Sequence, residues 1–320
     1  MKMIVFKCEE EELPRFEYYA KKYSVDLDIH AENPTLENAN LAEGMDAVNI
    51  LASTYIGPEI LDVYKRCGVK LLVSRTIGMD HIDRNYAARI GIEVRNISYS
   101  PSSVADYAIM MMLMVLRHIK PMLQRYAGQD YAQKGYLGRE LPNMTVGLIG
   151  LGRIGGTVAR HLSGFGCRVL GYDTAEKPEF APYVEQVSLD TLYQESDIVS
   201  LHIASTPETY HFIDRETIGH MKDGAVLINT GRGALVDNNA LIESLENGKL
   251  SGAGLDVFEG DRPIYYRDHK NKPVQTHEMA ILNAMPNVLM LPHMAYYTDQ
   301  ASDDMVRHSV ETAVEFCSPS

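Results

Sequence analysis

Thr145-Val146-Gly147-Leu148-Ile149-Gly150-Leu151-Gly152-Arg153-Ile154-Gly155 runs an apolar stretch straight into three glycines spaced Gly150-x-Gly152-x-x-Gly155. Residues 146–149 read as a buried strand of the parallel-sheet type. Behind the glycines, Ile154, Val158, Leu162 and Phe165 recur at helical spacing and predict one apolar face, and Gly166 predicts the helix stop. Residues 168–172 read as a second strand, ending on Asp173. Strand, glycine turn, helix, strand and terminal acid together form the pattern of a dinucleotide-binding βαβ unit. In that pattern Gly150 permits the tight turn, Gly152 lets backbone N–H groups approach a pyrophosphate, and Gly155 lets helix and strand pack closely. The helix N-terminus adds its partial positive charge to the same anion site.

The glycines alone carry little weight, because at ordinary glycine usage this spacing arises by chance in roughly one chain in eight of this length. The flanking strand and helix, and Asp173 at the end of the next strand, supply the specificity. Asp173 also favours NAD over NADP, since a carboxylate there accepts from a ribose 2′-OH and repels a 2′-phosphate.

At 320 residues the chain has room for two domains, each with its own core. Hydrophobic content of 45% and charged content of 23% are those of an ordinary globular protein. A formal net charge of −13 argues against nucleic acid and anionic membranes as partners. Cys8, Cys67, Cys167 and Cys317 are scattered without a CxxC pair or zinc spacing, which implies reduced thiols and a cytoplasmic location. No histidine pattern of the HExxH kind is present, so no metal is assigned. The N-terminus reads as a first strand rather than a signal peptide, and the longest apolar run, residues 108–116, is too short to span a bilayer.

The first third alternates strand-like stretches (3–6, 25–29, 47–51, 70–74, 93–95) with helical ones (11–22, 58–66, 83–89), an α/β unit with a mainly parallel sheet. Ser100 and Pro101 read as the N-cap and first position of a long helix running to about Arg117, whose methionines (Met110, Met111, Met112, Met114) read as buried packing. Residues 128–143 read as a polar surface excursion. Further strands are expected at 197–201, 225–229, 253–257 and 288–291, with a helix at 237–246 capped by Asp237. The polar residues His202, Thr206, Thr230 to Gly233, Asp256 to Asp261 and His293 all fall just past strand ends. Open α/β sheets bind their ligands there.

Several ordered segments resemble the D-2-hydroxyacid dehydrogenases, and within them the D-lactate dehydrogenases, including the vancomycin-resistance type. They are the glycine turn, Asn229-Thr230-Gly231-Arg232-Gly233 with Leu235-Val236-Asp237, Gly254-Leu255-Asp256-Val257-Phe258-Glu259, and Pro292-His293-Met294-Ala295-Tyr296-Tyr297-Thr298. Arg75-Thr76-Ile77-Gly78-Met79-Asp80-His81-Ile82-Asp83 and Tyr99-Ser100-Pro101 match the substrate-side motifs. The resemblance implies three catalytic residues. Arg232 clamps the substrate carboxylate, His293 exchanges a proton with the substrate oxygen, and an acid holds the imidazolium. Motif spacing gives the acid's place, a glutamate in the family, to Asp261, one methylene shorter; Glu259 is the runner-up. The resemblance further implies cofactor contacts from Gly150, Gly152, Arg153, Ile154, Gly155, Asp173, His202, Thr206, Thr230 and Asp256, the last at the nicotinamide carboxamide. Substrate contacts are expected from the backbone of Ile77 and Gly78 and from Tyr99 and Tyr296. Ile50, Leu51 and Tyr55 lie near the loop that sets side-chain size.

The expected fold is therefore two doubly wound parallel-sheet α/β domains. One is a Rossmann NAD-binding domain over residues 100–295, and the other a discontinuous flavodoxin-like substrate domain from 1–99 and 296–320, closing with a helix at 299–316. The expected function is NADH-dependent reduction of a small 2-oxo acid, pyruvate to D-lactate first, with a bulkier branched or aromatic acid as the alternative. An NAD(H)-sensing corepressor scaffold is the non-enzymatic alternative. A homodimer is the assembly the resemblance implies.

Overall fold

A computed structural model describes residues 1–51, 54–274 and 276–318. Ala52 and Ser53, in the loop assigned to substrate size, lie outside the described residues. In chain order the elements are β1 (Lys2–Val5), α1 (Leu13–Tyr23), β2 (Asp26–Ile29), β3 (Ala47–Ile50), α2 (Pro58–Arg66), β4 (Leu71–Ser74), α3 (Arg84–Arg89) and β5 (Glu93–Asn96). These are followed by α4 (Ser102–Leu116), α5 (Ile119–Ala127), β6 (Thr145–Ile149), α6 (Arg153–Leu162), β7 (Arg168–Tyr172), β8 (Glu185–Gln186), α7 (Leu189–Glu195) and β9 (Ile198–Leu201). The remainder is α8 (Arg215–His220), β10 (Ala225–Asn229), α9 (Asn238–Glu246), β11 (Leu250–Leu255), α10 (His277–Ala284), β12 (Val288–Met290) and α11 (Asp299–Cys317).

The chain divides into two compact units, Met1–Ser100 with Tyr297–Ser320, and Pro101–Tyr296. The first holds a five-stranded sheet of order β2-β1-β3-β4-β5, every pairing parallel. That is the flavodoxin-like order, in which the direction of winding reverses next to β1. The C-terminal α11 packs against α1 and β4, which returns the end of the chain to this unit. Its side chains reach α1 through Tyr19 Oη to Asp303 Oδ2 at 2.9 Å and Tyr23 Oη to Glu311 Oε1 at 2.6 Å.

The second unit holds a seven-stranded, all-parallel sheet of order β12-β11-β10-β9-β6-β7-β8. Reversal falls between β6 and β9, so the loops after these two strands flank the switch-point crevice. Apolar runs bury both faces: all of β9 and β10 and the last four residues of β6 are buried. α4 and α6 cover one face in a cluster with Met111 and Met112 at 0% exposure, so these methionines are packing residues. α7, α8 and α9 cover the other.

Three sequence expectations change. The long helix starts at Ser102, with Pro101 as its N-cap already in helical geometry and no side-chain cap, so the start shifts by one residue from that expected. Phe165 is 38% exposed, because α6 ends at Leu162 and tightens into a 3-10 turn that swings the ring off the buried face before Gly166 (φ 73°) stops it. The stretch ahead of the excursion is itself helical, as α5, and residues 128–140 that follow it are almost wholly exposed. Asp237 caps α9 as expected, accepting from the N–H groups of Asn239 and Ala240. Among the described residues no single helix is long and apolar enough to cross a membrane.

Candidate active site

The glycine turn follows β6 directly, and each glycine answers to a different constraint. Gly150 has φ 95°, and a β-carbon there would lie 2.6 Å from the carbonyl oxygen of His202. One on Gly155 would lie 1.9 Å from the Gly150 carbonyl oxygen, so α6 presses directly on the turn. Gly152, the N-cap of α6, would direct a β-carbon into space with no protein atom within 4 Å. Two glycines are required by packing and one keeps the helix N-terminus open to a ligand. Arg153 and Ile154 open the first turn of α6 behind it.

Asp173 ends β7 and faces this turn. Its Oδ2 accepts from the Leu151 N–H at 2.8 Å and its Oδ1 from Ala175 N–H at 3.2 Å. The carboxylate is thus held beside the pyrophosphate turn, with Lys177 Nζ 3.9 Å away. NADH should be preferred over NADPH by at least about tenfold in kcat/KM, because burying a 2′-phosphate beside a fixed carboxylate costs a few kcal/mol and Lys177 offsets only part of it. Equal efficiency with the two cofactors would contradict this assignment.

Across the switch point, His202 donates its backbone N–H to Ile149 O at 2.8 Å, which ties the two strand ends together. Burial pushes its imidazole down to about 4, and the neutral ring meets Ser200 Oγ through Nε2 at 3.0 Å. Thr206 caps the short 3-10 turn Pro207–Thr209. After β10, the Thr230 hydroxyl is buried and has no hydrogen-bond partner among the described residues. A buried hydroxyl left unsatisfied is costly, and at a strand end beside the switch point it fits a site that receives polar atoms of a dinucleotide. The open Gly152 amide turn fits the same group.

Arg232 sits at the N-terminal end of the 3-10 turn Gly233–Leu235. Asn229 fixes its backbone from below, donating Nδ2–H to Arg232 O at 2.9 Å and accepting from Gly231 N–H at 3.0 Å. Gly233 packs so tightly that a β-carbon would meet Phe258 O at 2.0 Å, which locks this turn to the one after β11. Asp261 lies in that second turn. Burial pushes its carboxyl up to about 6, against the Phe258 N–H bond (3.3 Å) and the charges of Arg232 and Arg262. Glu259, the runner-up for the same role, is engaged elsewhere: Oε1 accepts from Tyr210 Oη and Oε2 meets His211 Nε2, both at 2.9 Å.

His293 follows β12 with a left-handed backbone, φ 56°. Its ring lies 5.6 Å from that of Tyr266 and 6.4 Å from that of Tyr296, centroid to centroid. Tyr266 in turn lies within electrostatic reach of Tyr296, Asp256, Asp261 and Arg232, and burial pushes its phenol well above the usual range. His293 thus stands beside a tyrosine that the sequence did not single out and that also feels the charges of Asp261 and Arg232; it sits in a long segment without periodicity. Asp256, expected at the nicotinamide, is fully buried and spends both oxygens on the backbone of the turn after His293.

In the other unit, Arg75 is not available to a substrate. It is 0% exposed and spends its guanidinium on Glu12, Asn49 Oδ1 and the carbonyls of Phe6 and Lys7. The next residues are held differently. Gly78 O accepts from Thr76 Oγ1 and Ile77 O from Asn96 Nδ2, both at 2.7 Å. The Ile77 and Gly78 N–H groups donate to no acceptor among the described residues.

Comparison with known proteins agrees with this geometry. Residues 109–295 match the model of the D-isomer specific 2-hydroxyacid dehydrogenase NAD-binding domain. The chain is 41% identical to the D-specific alpha-keto acid dehydrogenase of Enterococcus faecium over 98% of its length and 96% of the relative's. It is 38% identical to an aromatic 2-oxoacid reductase of Clostridium sporogenes, over 99% and 96%. The crystal structure of a D-lactate dehydrogenase from Treponema pallidum superposes with a TM-score of 0.90 at 34% identity, covering 100% of this chain and 98% of that one. With the open glycine turn, the acid beside it and the strand-end residues in place, the chain belongs to the D-isomer specific 2-hydroxyacid dehydrogenases and is an NAD-dependent oxidoreductase of that family.

Proposed function

We propose that the chain uses NADH to reduce a small 2-oxo acid to the D-2-hydroxy acid, with pyruvate to D-lactate as the leading case. The observation that carries this reading is the convergence of three strand-end turns: Gly233 locks the Arg232 turn against Phe258, whose N–H is held by Asp261, and His293 N–H donates to Asp256 O beside them. Bound NADH supplies a hydride to the carbonyl carbon. Arg232 receives the carboxylate with its planar fork, which a point charge cannot match. The His293 imidazolium would give its proton to the ketone oxygen, so that a hydride added at carbon forms the C–H bond and the proton completes the hydroxyl. Asp261 holds that imidazolium, a choice supported by the engagement of Glu259 with Tyr210 and His211. The Thr230 hydroxyl and the amides of the glycine turn bind the cofactor.

The Tyr266 and Tyr296 rings stand beside His293, where they would crowd a large substituent on the reacting carbonyl, which supports a small side chain. The same rings would also pack against an aromatic side chain, and likeness to an aromatic 2-oxoacid reductase favours that second reading. A panel of pyruvate, a branched 2-oxo acid and phenylpyruvate, each with NADH, separates them. Pyruvate should lead in kcat/KM by about tenfold or more, the discrimination one or two misfitting carbons produce. A reversed order would assign the bulkier substrate, and no NADH oxidation with any member would overturn all three substrate assignments.

A further inference from the structure

The residue that presents His293 stands on a different strand. β11 and β12 are parallel neighbours, with Leu255 opposite Met290, so the chain leaves both strands side by side. The ladder continues past the strand ends through Leu291 N–H to Leu255 O at 2.9 Å and His293 N–H to Asp256 O at 2.8 Å. There the backbone of His293 turns left-handed, a conformation that a residue with a β-carbon adopts only when its surroundings hold it. The next two amides show what holds it. Met294 N–H donates to Asp256 Oδ1 and Ala295 N–H to Asp256 Oδ2, both at 2.9 Å.

One fully buried residue thus accepts three consecutive N–H groups, by its carbonyl and then by each carboxylate oxygen. Asp256 is itself fixed by donating its N–H to Asn229 O at 2.9 Å, the same Asn229 that holds the Arg232 turn. The carboxyl also accepts from the Tyr107 hydroxyl of α4. A buried carboxylate held by backbone donors and a phenol is a rigid fixture, and a fixture of this kind sets where the neighbouring imidazole stands.

We propose that Asp256 is a positioning residue for the proton donor, its carboxylate clamping the left-handed turn that presents His293. This rests on the reading of His293 as that donor. It differs from a nicotinamide contact, which would act through cofactor affinity.

The two roles separate in kinetics. Asp256→Asn keeps one acceptor oxygen and loses the other, so one turn amide is released. It should lower kcat for 2-oxo acid reduction by about ten- to hundredfold, the usual consequence of a small misplacement of a reacting group. The Kd for NADH, read by fluorescence, should stay within about twofold. Asp256→Ala should lower kcat further at the same Kd. If the Asn variant does not fold, Asp256→Ser, with an acceptor oxygen in a smaller side chain, carries the same test. Unchanged kcat with a raised Kd for NADH overturns the proposal in favour of the cofactor contact. Unchanged kcat with a lowered Tm overturns it in favour of a purely structural role. His293→Gln run alongside keeps the two readings apart: full activity in that variant removes the donor assignment, whatever Asp256 does.

Discussion

Arg232→Lys should lower kcat/KM for 2-oxo acid reduction by about a hundredfold while leaving NADH affinity nearly unchanged. Lysine keeps the charge, and the turn has no reason to move. Its backbone is held by Asn229 on one side and, through Gly233, by contact with the Phe258 peptide on the other. What is lost is the planar fork. A guanidinium gives a carboxylate two parallel bonds in one plane, and one such charge-assisted bond contributes about 1.5–3 kcal/mol. Losing one of the pair at a partly buried site therefore corresponds to about ten- to two-hundredfold in rate. Arg232 Nη1 donates to Gly231 O at 2.9 Å, which helps to orient the fork. The diagnostic is the split between parameters. A substrate clamp depresses kcat/KM for the acid, whereas a cofactor ligand raises the Kd for NADH; collapse of NADH binding would move Arg232 out of the substrate site.

The parts of the fold that could be read in advance are those whose cause is local. The βαβ unit is spelled out by three glycines, two of which packing leaves no other residue to replace, and by apolar runs bounded by turn residues. β7, β10 and α2 occur over the residues expected. Asp237 is a cap in sequence and in structure because capping needs only the next three residues. α7 and α8 escaped notice although both carry caps, Ser188 to Thr191 N–H and Asp214 to Thr217 N–H. Their third residue is threonine rather than the glutamate or glutamine of the usual capping box, and each helix is under two turns or barely at two, too short for periodicity to register.

Site residues divide the same way. The placement of His202, Thr230, Arg232 and His293 was legible because each falls just past the end of a strand, where open α/β sheets bind their ligands. The roles that depend on distant partners were not. Arg75 belongs to a substrate-side motif, yet its guanidinium is consumed by Glu12, 63 positions away, and Asn49, 26 away. Glu259 is drawn off by His211, 48 positions away. Tyr266 lies in an irregular stretch where no period marks any residue as facing the site.

The acid proposed to hold His293 carries the second large effect. Replacing His293 with Gln should lower kcat by about 10²–10⁴, the contribution usual for a positioned general acid. Asp261→Asn should instead move the pH profile. Reduction of the ketone needs imidazolium, so activity falls as pH rises through the His293 pKa. A carboxylate facing the ring raises that pKa, and its removal should bring the falling limb to lower pH by about one unit, equivalent to about 1.4 kcal/mol. Burial has pushed the Asp261 carboxyl up to about 6, so its charge is present only above that pH, in the range where the limb is expected. The sign for stability is opposite to that for activity. A carboxyl whose folded pKa is raised favours the fold fully below its unfolded value and loses that contribution as pH rises through about 6. At pH 8 the ionised Asp261 is therefore a cost to folding, and Asp261→Asn should not lower Tm there even as it shifts the limb. A carboxylate kept at the expense of stability is the mark of a chemical role rather than a structural one. Glu259→Gln supplies the contrast, since its partners are Tyr210 and His211: the limb should stay in place. If the two variants exchange behaviours, the pairing is two residues out of register and Glu259 is the partner. If neither moves the limb, the imidazole works without a carboxylate from this segment.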